Sequence, residues 1–81
     1  MKALRSTTAR AVAAVIAAAR KEAGFTQRDL ASRIKRPHSV IGMIESNQRQ
    51  VNMPEFIAFA EAIGADPADL FRRVLRERGA R

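Results

Sequence analysis

Start and stop signals cut this sequence into five short helical segments, and that punctuation restricts the fold more than any other feature. A first helix is expected from about Thr8 to Ala23, with Val12, Val15, Ile16, Ala19 and Ala23 on one stripe at i, i+3, i+4, i+7 spacing. Gly24 then supplies the left-handed stop. Thr26 followed by Asp29 has the form of a capping box with Asp in the Glu/Gln place. It opens a second helix that buries Leu30, Ala31 and Ile34 and ends near Lys35. Pro37 is excluded from a helix interior and favoured at a first helical position, so a third helix starts there and runs to about Ser46, with Val40, Ile41 and Ile44 inward. Asn47 takes a left-handed cap, and Gln48 to Val51 form a polar loop. Asn52 caps a fourth helix striped by Met53, Phe56, Ile57, Ala60 and Ile63 and closed by Gly64. Asp66, Pro67 and Asp69 open a fifth, which carries Leu70, Phe71, Val74 and Leu75 and stops at Gly79. No hairpin signal such as Asn-Gly stands between alternating residues. The chain reads as all-α.

With 81 residues there is room for one domain, and a fold this short buries only about 60% of its unfolded surface, so a partner chain would add stability. The expected layout is a basic arm over residues 1–7, a domain over 8–78 and a tail over 79–81. Cysteine is absent, which excludes disulfides and thiolate metal sites and fits a reducing compartment; the cytoplasm is the expected location. The net charge of +7 favours a polyanionic partner. Residues 1–40 hold nine basic side chains against two acidic ones, and residues 41–81 balance six against six, so the first half faces the anion. Lys2, Arg5 and Arg10 ahead of Ala11 to Ala19 have the layout of a targeting segment. That run is mostly alanine, however, a weak hydrophobic region far shorter than the ~20 residues that span a bilayer.

The second and third helices, joined by a tight turn with apolar Leu30, Ala31, Ile34, Ile41 and Ile44, make a helix-turn-helix pattern. Ala31 is small where the helices cross, and the apolar set lets the second helix of the pair lie over the first with its outer face free for a major groove. With its flanks, RKEAGFTQRDLASRI…SVIGMIESN…FAEAIGADPADLF resembles the phage-repressor and Cro family, often called Xre, over about residues 13 to 72. The elements that carry the resemblance are Gly24 to Gln27, the Leu30-Ala31 pair, Ile41, Ile44 and Glu45, and Ala60, Ile63 and Gly64. The resemblance implies a five-helix lambda-repressor-like domain. The chain departs from the family at Lys35 and Asn47, where the family has Gly, and at Arg36, where it has an apolar residue. A Lys at φ > 0 costs on the order of 1 kcal/mol, which favours a turn rebuilt around Pro37.

The resemblance also implies roles for single residues. His38, Ser39 and Met43 match positions that project into the major groove, with Gly42 beside them, and are the base-reading candidates; the plainer reading of His38 and Ser39 is an ordinary helix start. Gly42 in mid-helix costs ~1 kcal/mol relative to Ala, so either the DNA approaches closely there or the glycine is tolerated. Gln27 matches a residue that bonds a DNA phosphate and buttresses the reading helix. Arg28, Arg33, Lys35, Arg36, Arg49 and Gln50 surround the motif as further phosphate candidates, against a plain solubilising role. Arg20 and Glu45 match a partly buried salt bridge that orients the reading helix. A single reading helix contacts one half-site, so a homodimer on a palindromic double-stranded operator is expected, with Phe71, Leu75, Leu70 and Val74 at the interface.

The expected function is therefore transcriptional regulation, most simply repression. The alternative is an antitoxin or a restriction-modification controller that binds its own promoter, the antitoxin also holding a toxin. Enzymatic activity is not expected from one His, no Cys, no Gly-rich phosphate loop and no cleft of paired carboxylates, and no cofactor is implied. A membrane-surface role would need large apolar residues opposite a basic face, which the alanine-rich first helix lacks. All four Phe fall on expected core stripes or helix entries, which leaves no aromatic platform for RNA.

Overall fold

A computed structural model describes residues 6–79, and within them the chain forms five helices and no strand. They are α1 (Thr7–Glu22), α2 (Gln27–Arg33), α3 (His38–Glu45), α4 (Met53–Ala62) and α5 (Pro67–Gly79). Lys2 and Arg5 of the expected arm, and tail residues 80–81, lie outside the described residues. Arg10 belongs to α1.

The helix starts follow local hydrogen-bond chemistry. Ser6 Oγ accepts from the Ala9 N–H at 3.0 Å and starts α1. Thr26 and Asp29 form a reciprocal capping box at α2, Thr26 Oγ1 accepting from the Asp29 N–H and Asp29 Oδ2 from the Thr26 N–H. Asn52 and Glu55 do the same at α4. Asp66 accepts from the Ala68 N–H at 2.9 Å ahead of α5. At α3 the expectation is corrected by one position. Pro37, with ψ 143°, is the residue before the helix rather than its first turn, and it offers no side-chain cap.

The ends of α1 to α4 are built alike. Each has one left-handed residue, Gly24 (φ 84°), Lys35 (φ 58°), Asn47 (φ 62°) or Gly64 (φ 78°). In each, the next N–H reaches back five residues: Phe25 to the Arg20 carbonyl, Arg36 to Ala31, Gln48 to Met43 and Ala65 to Ala60. These are Schellman caps, which satisfy carbonyls that a helix end leaves bare. The turn before α3 is therefore not rebuilt around Pro37. Lys35 adopts the left-handed conformation despite its Cβ, because the paired backbone bonds Lys35 N–H to the Ser32 carbonyl and Arg36 N–H to the Ala31 carbonyl require it.

Val15, Ile16, Ala19, Leu30, Ala31, Ile41, Ile44, Phe56, Phe59, Ala60, Leu70 and Val74 are buried together in the core. α5 packs along α1, and α2 against α3 and α4. Two expectations about faces are corrected. In α4 the buried set is Phe56, Phe59 and Ala60, whereas Met53 and Ile57 are exposed. Packing of α4 against α5 and α2 takes Glu55 and the Phe56–Phe59–Ala60 face inward, one position away from the Met53–Ile57 row. In α5, Leu70 and Val74 lie in the chain's own core and are not available to a partner, while Phe71 (46% exposed) and Leu75 (44%) form a second row at i, i+4 that faces solvent. Among the described residues no helix is long and apolar enough to cross a membrane.

Replacing Lys35 by Gly removes the steric cost of the left-handed Cβ and is expected to stabilise the fold by about 0.5–1 kcal/mol, a rise of several degrees in Tm. Thermal unfolding followed by circular dichroism measures it, and a lower Tm for Lys35→Gly would refute the strain at this corner.

Candidate nucleic-acid interface

Two helices of seven and eight residues, α2 and α3, meet at the Lys35 corner. Leu30 and Ala31 of α2 and Ile41 and Ile44 of α3 are buried at their crossing, which leaves the opposite side of α3 outward. His38 and Ser39 at its start are exposed, and Met43 and Gly42 are half-buried. The three base-reading candidates and the neighbouring Gly42 thus lie on one short helix, with His38 and Ser39 the most accessible.

Glu45, the last residue of α3, fixes that helix to the rest of the chain. Arg20 of α1 approaches it with Nε at 2.5 Å from Oε2 and Nη2 at 3.0 Å from Oε1, and both side chains are largely buried. The remaining amino group of Arg20 donates to the Phe25 carbonyl at 2.7 Å, closing the corner between α1 and α2. Gln27, the first residue of α2, donates from Nε2 to Glu45 Oε1 at 2.9 Å. One carboxylate therefore joins α1, α2 and α3, in a forked geometry that a Lys could not reproduce.

Gly42 has a structural reason within the chain. A Cβ there would lie 3.3 Å from Gln27 Oε1, so the missing side chain makes room for the amide that reaches Glu45. The choice between DNA approach and mere tolerance left out this third possibility, a close crossing of α2 and α3.

A second carboxylate organises the phosphate candidates and has no place in the sequence reading. Glu55, in the first turn of α4, is buried, and it accepts from Arg36 Nε at 2.9 Å and from Arg49 Nη1 and Nη2 at 3.1 and 2.9 Å. Arg36 and Arg49 are thus not merely solvated charges. The signal that could have found Glu55 is the Asn52-x-x-Glu55 spacing of a capping box; nothing local points to the two arginines. Arg28, Lys35 and Gln50 are exposed. Arg33, beside them, lies over the Phe25 ring with its guanidinium carbon 4.7 Å from the centroid. Away from this surface, Arg73 of α5 pairs with Glu22 of α1. Among the described residues no cluster of His, Asp and Glu is placed to hold a metal.

The Arg49 guanidinium, joined by Arg36 and the Asn52 N–H, holds the Glu55 carboxyl at about 2 against an ordinary 4.5, while burial pushes the other way. A depressed folded-state value means that the stabilisation is complete above pH 4.5 and is lost as pH falls toward 2. Glu55→Gln is therefore expected to cost about 1–3 kcal/mol near neutral pH, a gap from the parent that closes across that acid window. Urea unfolding of both proteins over a pH series tests this, and a gap that stayed constant with pH would refute it.

A helix-turn-helix family model matches residues 16–70, more than half of the chain. Among solved structures, the chain is similar to an XRE-family-like protein from Pseudomonas syringae pv. tomato str. DC3000, with 34% identity, a TM-score of 0.77, and coverage of 84% of this chain and 83% of that one. It is similar also to the restriction-modification controller protein C.Esp1396I, solved as a tetramer in complex with its natural 35-base-pair operator, with 26% identity, a TM-score of 0.83, and coverage of 91% and 97%. The clp gene regulator ClgR from Corynebacterium glutamicum shares the fold at a TM-score of 0.84, with 20% identity over 90% of this chain and 78% of that one. No match was found among curated proteins by sequence. With five helices, the capped α2–α3 pair and the Glu45 junction in place, the chain belongs to the Xre-type helix-turn-helix family of DNA-binding regulators.

Proposed function

We propose that this chain is a homodimeric repressor that reads a palindromic operator, with the start of α3 in the major groove. The observation that carries the reading is α3 itself. Its inner face is buried through Ile41 and Ile44, its end is held by Arg20 and Gln27 through Glu45, and His38 and Ser39 are left exposed. A reading helix has to be rigid and accessible at once, because a base contact is worth its ~1–3 kcal/mol of discrimination only in one geometry.

In this reading His38, Ser39 and Met43 contact base edges. Gln27, Arg28, Lys35, Arg36, Arg49 and Gln50 contact phosphates, which fix register and supply most of the affinity. Repression needs nothing beyond occupancy of a promoter site. A controller that acts on its own promoter is a second form of the same reading, favoured by the near-complete mutual coverage with C.Esp1396I. Selection of bound sites from genomic fragments separates the two by whether the chain's own promoter is recovered.

The exposed Phe71 and Leu75 row supports a two-fold interface on α5, since two large apolar residues facing solvent at i, i+4 make a self-complementary stripe. Phe71→Glu with Leu75→Glu is expected to turn a dimer into a monomer in sedimentation equilibrium while circular dichroism still finds the helical fold, because neither residue is in the core and only the stabilisation supplied by the partner is lost. A parent that sediments as a monomer at tens of micromolar, with DNA and without it, would refute the dimer.

Binding to DNA is expected to weaken with salt at a slope steeper than about −4 in log K against log salt, as each neutralised phosphate contributes about −0.9 and a dimer doubles the contacts. In site selection, substitution of His38, Ser39 or Met43 by Ala should change the preferred base at one or two positions, whereas Gln27→Ala should weaken all sequences by similar factors. Unaltered base preferences in all three variants would remove α3 as the reader.

A further inference from the structure

We infer that Glu55, without touching DNA, positions Arg36 and Arg49 side by side for the phosphate backbone next to α3. The inference rests on the DNA-binding reading above and adds to it a residue that acts through two others.

The geometry is specific. Arg36 lies two residues before His38 and Arg49 four residues after Glu45, so the pair brackets α3 along the chain. Both turn back to one carboxylate on α4, which is itself anchored by the Asn52 N–H at 3.4 Å and whose side chain is only 3% exposed. The two arginine side chains, in contrast, are 40% and 35% exposed. Each carries five N–H donors, of which Glu55 takes one from Arg36 and two from Arg49. Donors therefore remain on both, on a cluster whose charge is still positive. A guanidinium fixed before the encounter loses less rotamer freedom when it meets a phosphate, and its planar fork presents its remaining N–H groups in a set direction. Two such groups, tied to the same carboxylate oxygen, form one paired cationic site beside α3 rather than two independent contacts.

Two plainer roles for Glu55 predict different results. If it acted only as a negative charge close to DNA, removing it would tighten binding. If it were only a cap for α4, removing it would lower the Tm and leave the affinity of the folded protein alone. As a positioning residue it has the opposite effect to the first and a further effect beyond the second. Glu55→Gln should bind more weakly even though the protein gains positive charge.

The experiment measures binding of the full chain to a mixed-sequence duplex of about 30 base pairs by fluorescence anisotropy over a salt series, at a temperature where circular dichroism finds every variant folded. Glu55→Gln is expected to weaken binding about 3- to 10-fold and to make the salt slope shallower by about 1 to 2, because phosphates held by the two arginines are no longer neutralised in place. Arg49→Lys keeps every charge but cannot form the forked pair with Glu55, and should weaken binding in the same direction. Equal or tighter binding by folded Glu55→Gln with an unchanged slope would overturn the inference. Should Glu55→Gln fail to fold, parent-like affinity of Arg49→Lys would overturn it instead. A parent that binds the duplex with no salt dependence is a different result, since it removes the DNA-binding reading itself.

Discussion

The pair formed by Arg20 and Glu45 is the constraint on which the arrangement of this small domain depends. Buried charges are expensive unless their partner and remaining hydrogen bonds are present together, and here they are. Glu45 receives two bonds from Arg20 and one from Gln27, and Arg20 gives its last amino group to the Phe25 carbonyl. These demands can be met together only when α1, the start of α2 and the end of α3 meet at one point. The apolar core, mostly alanine, valine, leucine and isoleucine, tolerates sliding between helices more readily than a forked ion pair does. Burial makes the chain compact, and the ion pair selects which compact arrangement holds α3 outward.

The net charge acquires a more definite meaning in this light. The basic excess of residues 1–40 is not left entirely to solvent and partner, because Glu45 and Glu55 from the second half reach back to Arg20 and Arg36. The acidic residues of a basic protein are here the fixed points, and the arginines are what they hold. A count of charges along the chain separates a basic half from a neutral half, but it cannot tell an arginine spent on the scaffold from one left for an anion.

Much of the fold could be read locally, because it is specified locally. Thr26 with Asp29, Asn52 as a cap, Asp66 with Pro67, and the stops at Gly24 and Gly64 are short-range hydrogen-bond and φ preferences, and the helices begin and end within a residue or two of them. The burial of Leu30, Ala31, Ile41 and Ile44 follows from periodicity. What local reading missed has long-range causes. The exposure of Met53 and Ile57 in place of Phe59 depends on where α5 and α2 leave room for α4. Leu70 and Val74 divide from Phe71 and Leu75 only once α1 is in position. The Lys35 corner is a local exception, where two short-range backbone bonds outweigh one unfavourable Cβ. In the candidate site, Arg20 and Glu45 could be paired through the family resemblance, but the convergence of Arg36 and Arg49 on Glu55 joins three segments that no spacing rule connects.

The four matching corners carry a consequence for how such a chain can vary. At Gly24, Lys35, Asn47 and Gly64 the backbone reverses through a fixed number of residues, with the following N–H already committed to a carbonyl five positions back. At Gly24, Lys35 and Gly64, where the next helix follows at once, there is no slack to absorb an insertion, whereas the Asn47 corner runs on into the loop before Asn52. One extra residue at a corner would shift the phase of the next helix by about 100°, since a turn takes 3.6 residues, and would rotate an inward side chain such as Leu30 or Ile41 toward water. Substitution on the outer face of α3 carries no such penalty. The domain is thus rigid in length at its tight corners and permissive in surface chemistry, so the outer side chains of α3 can change one at a time while the frame that carries them stays the same.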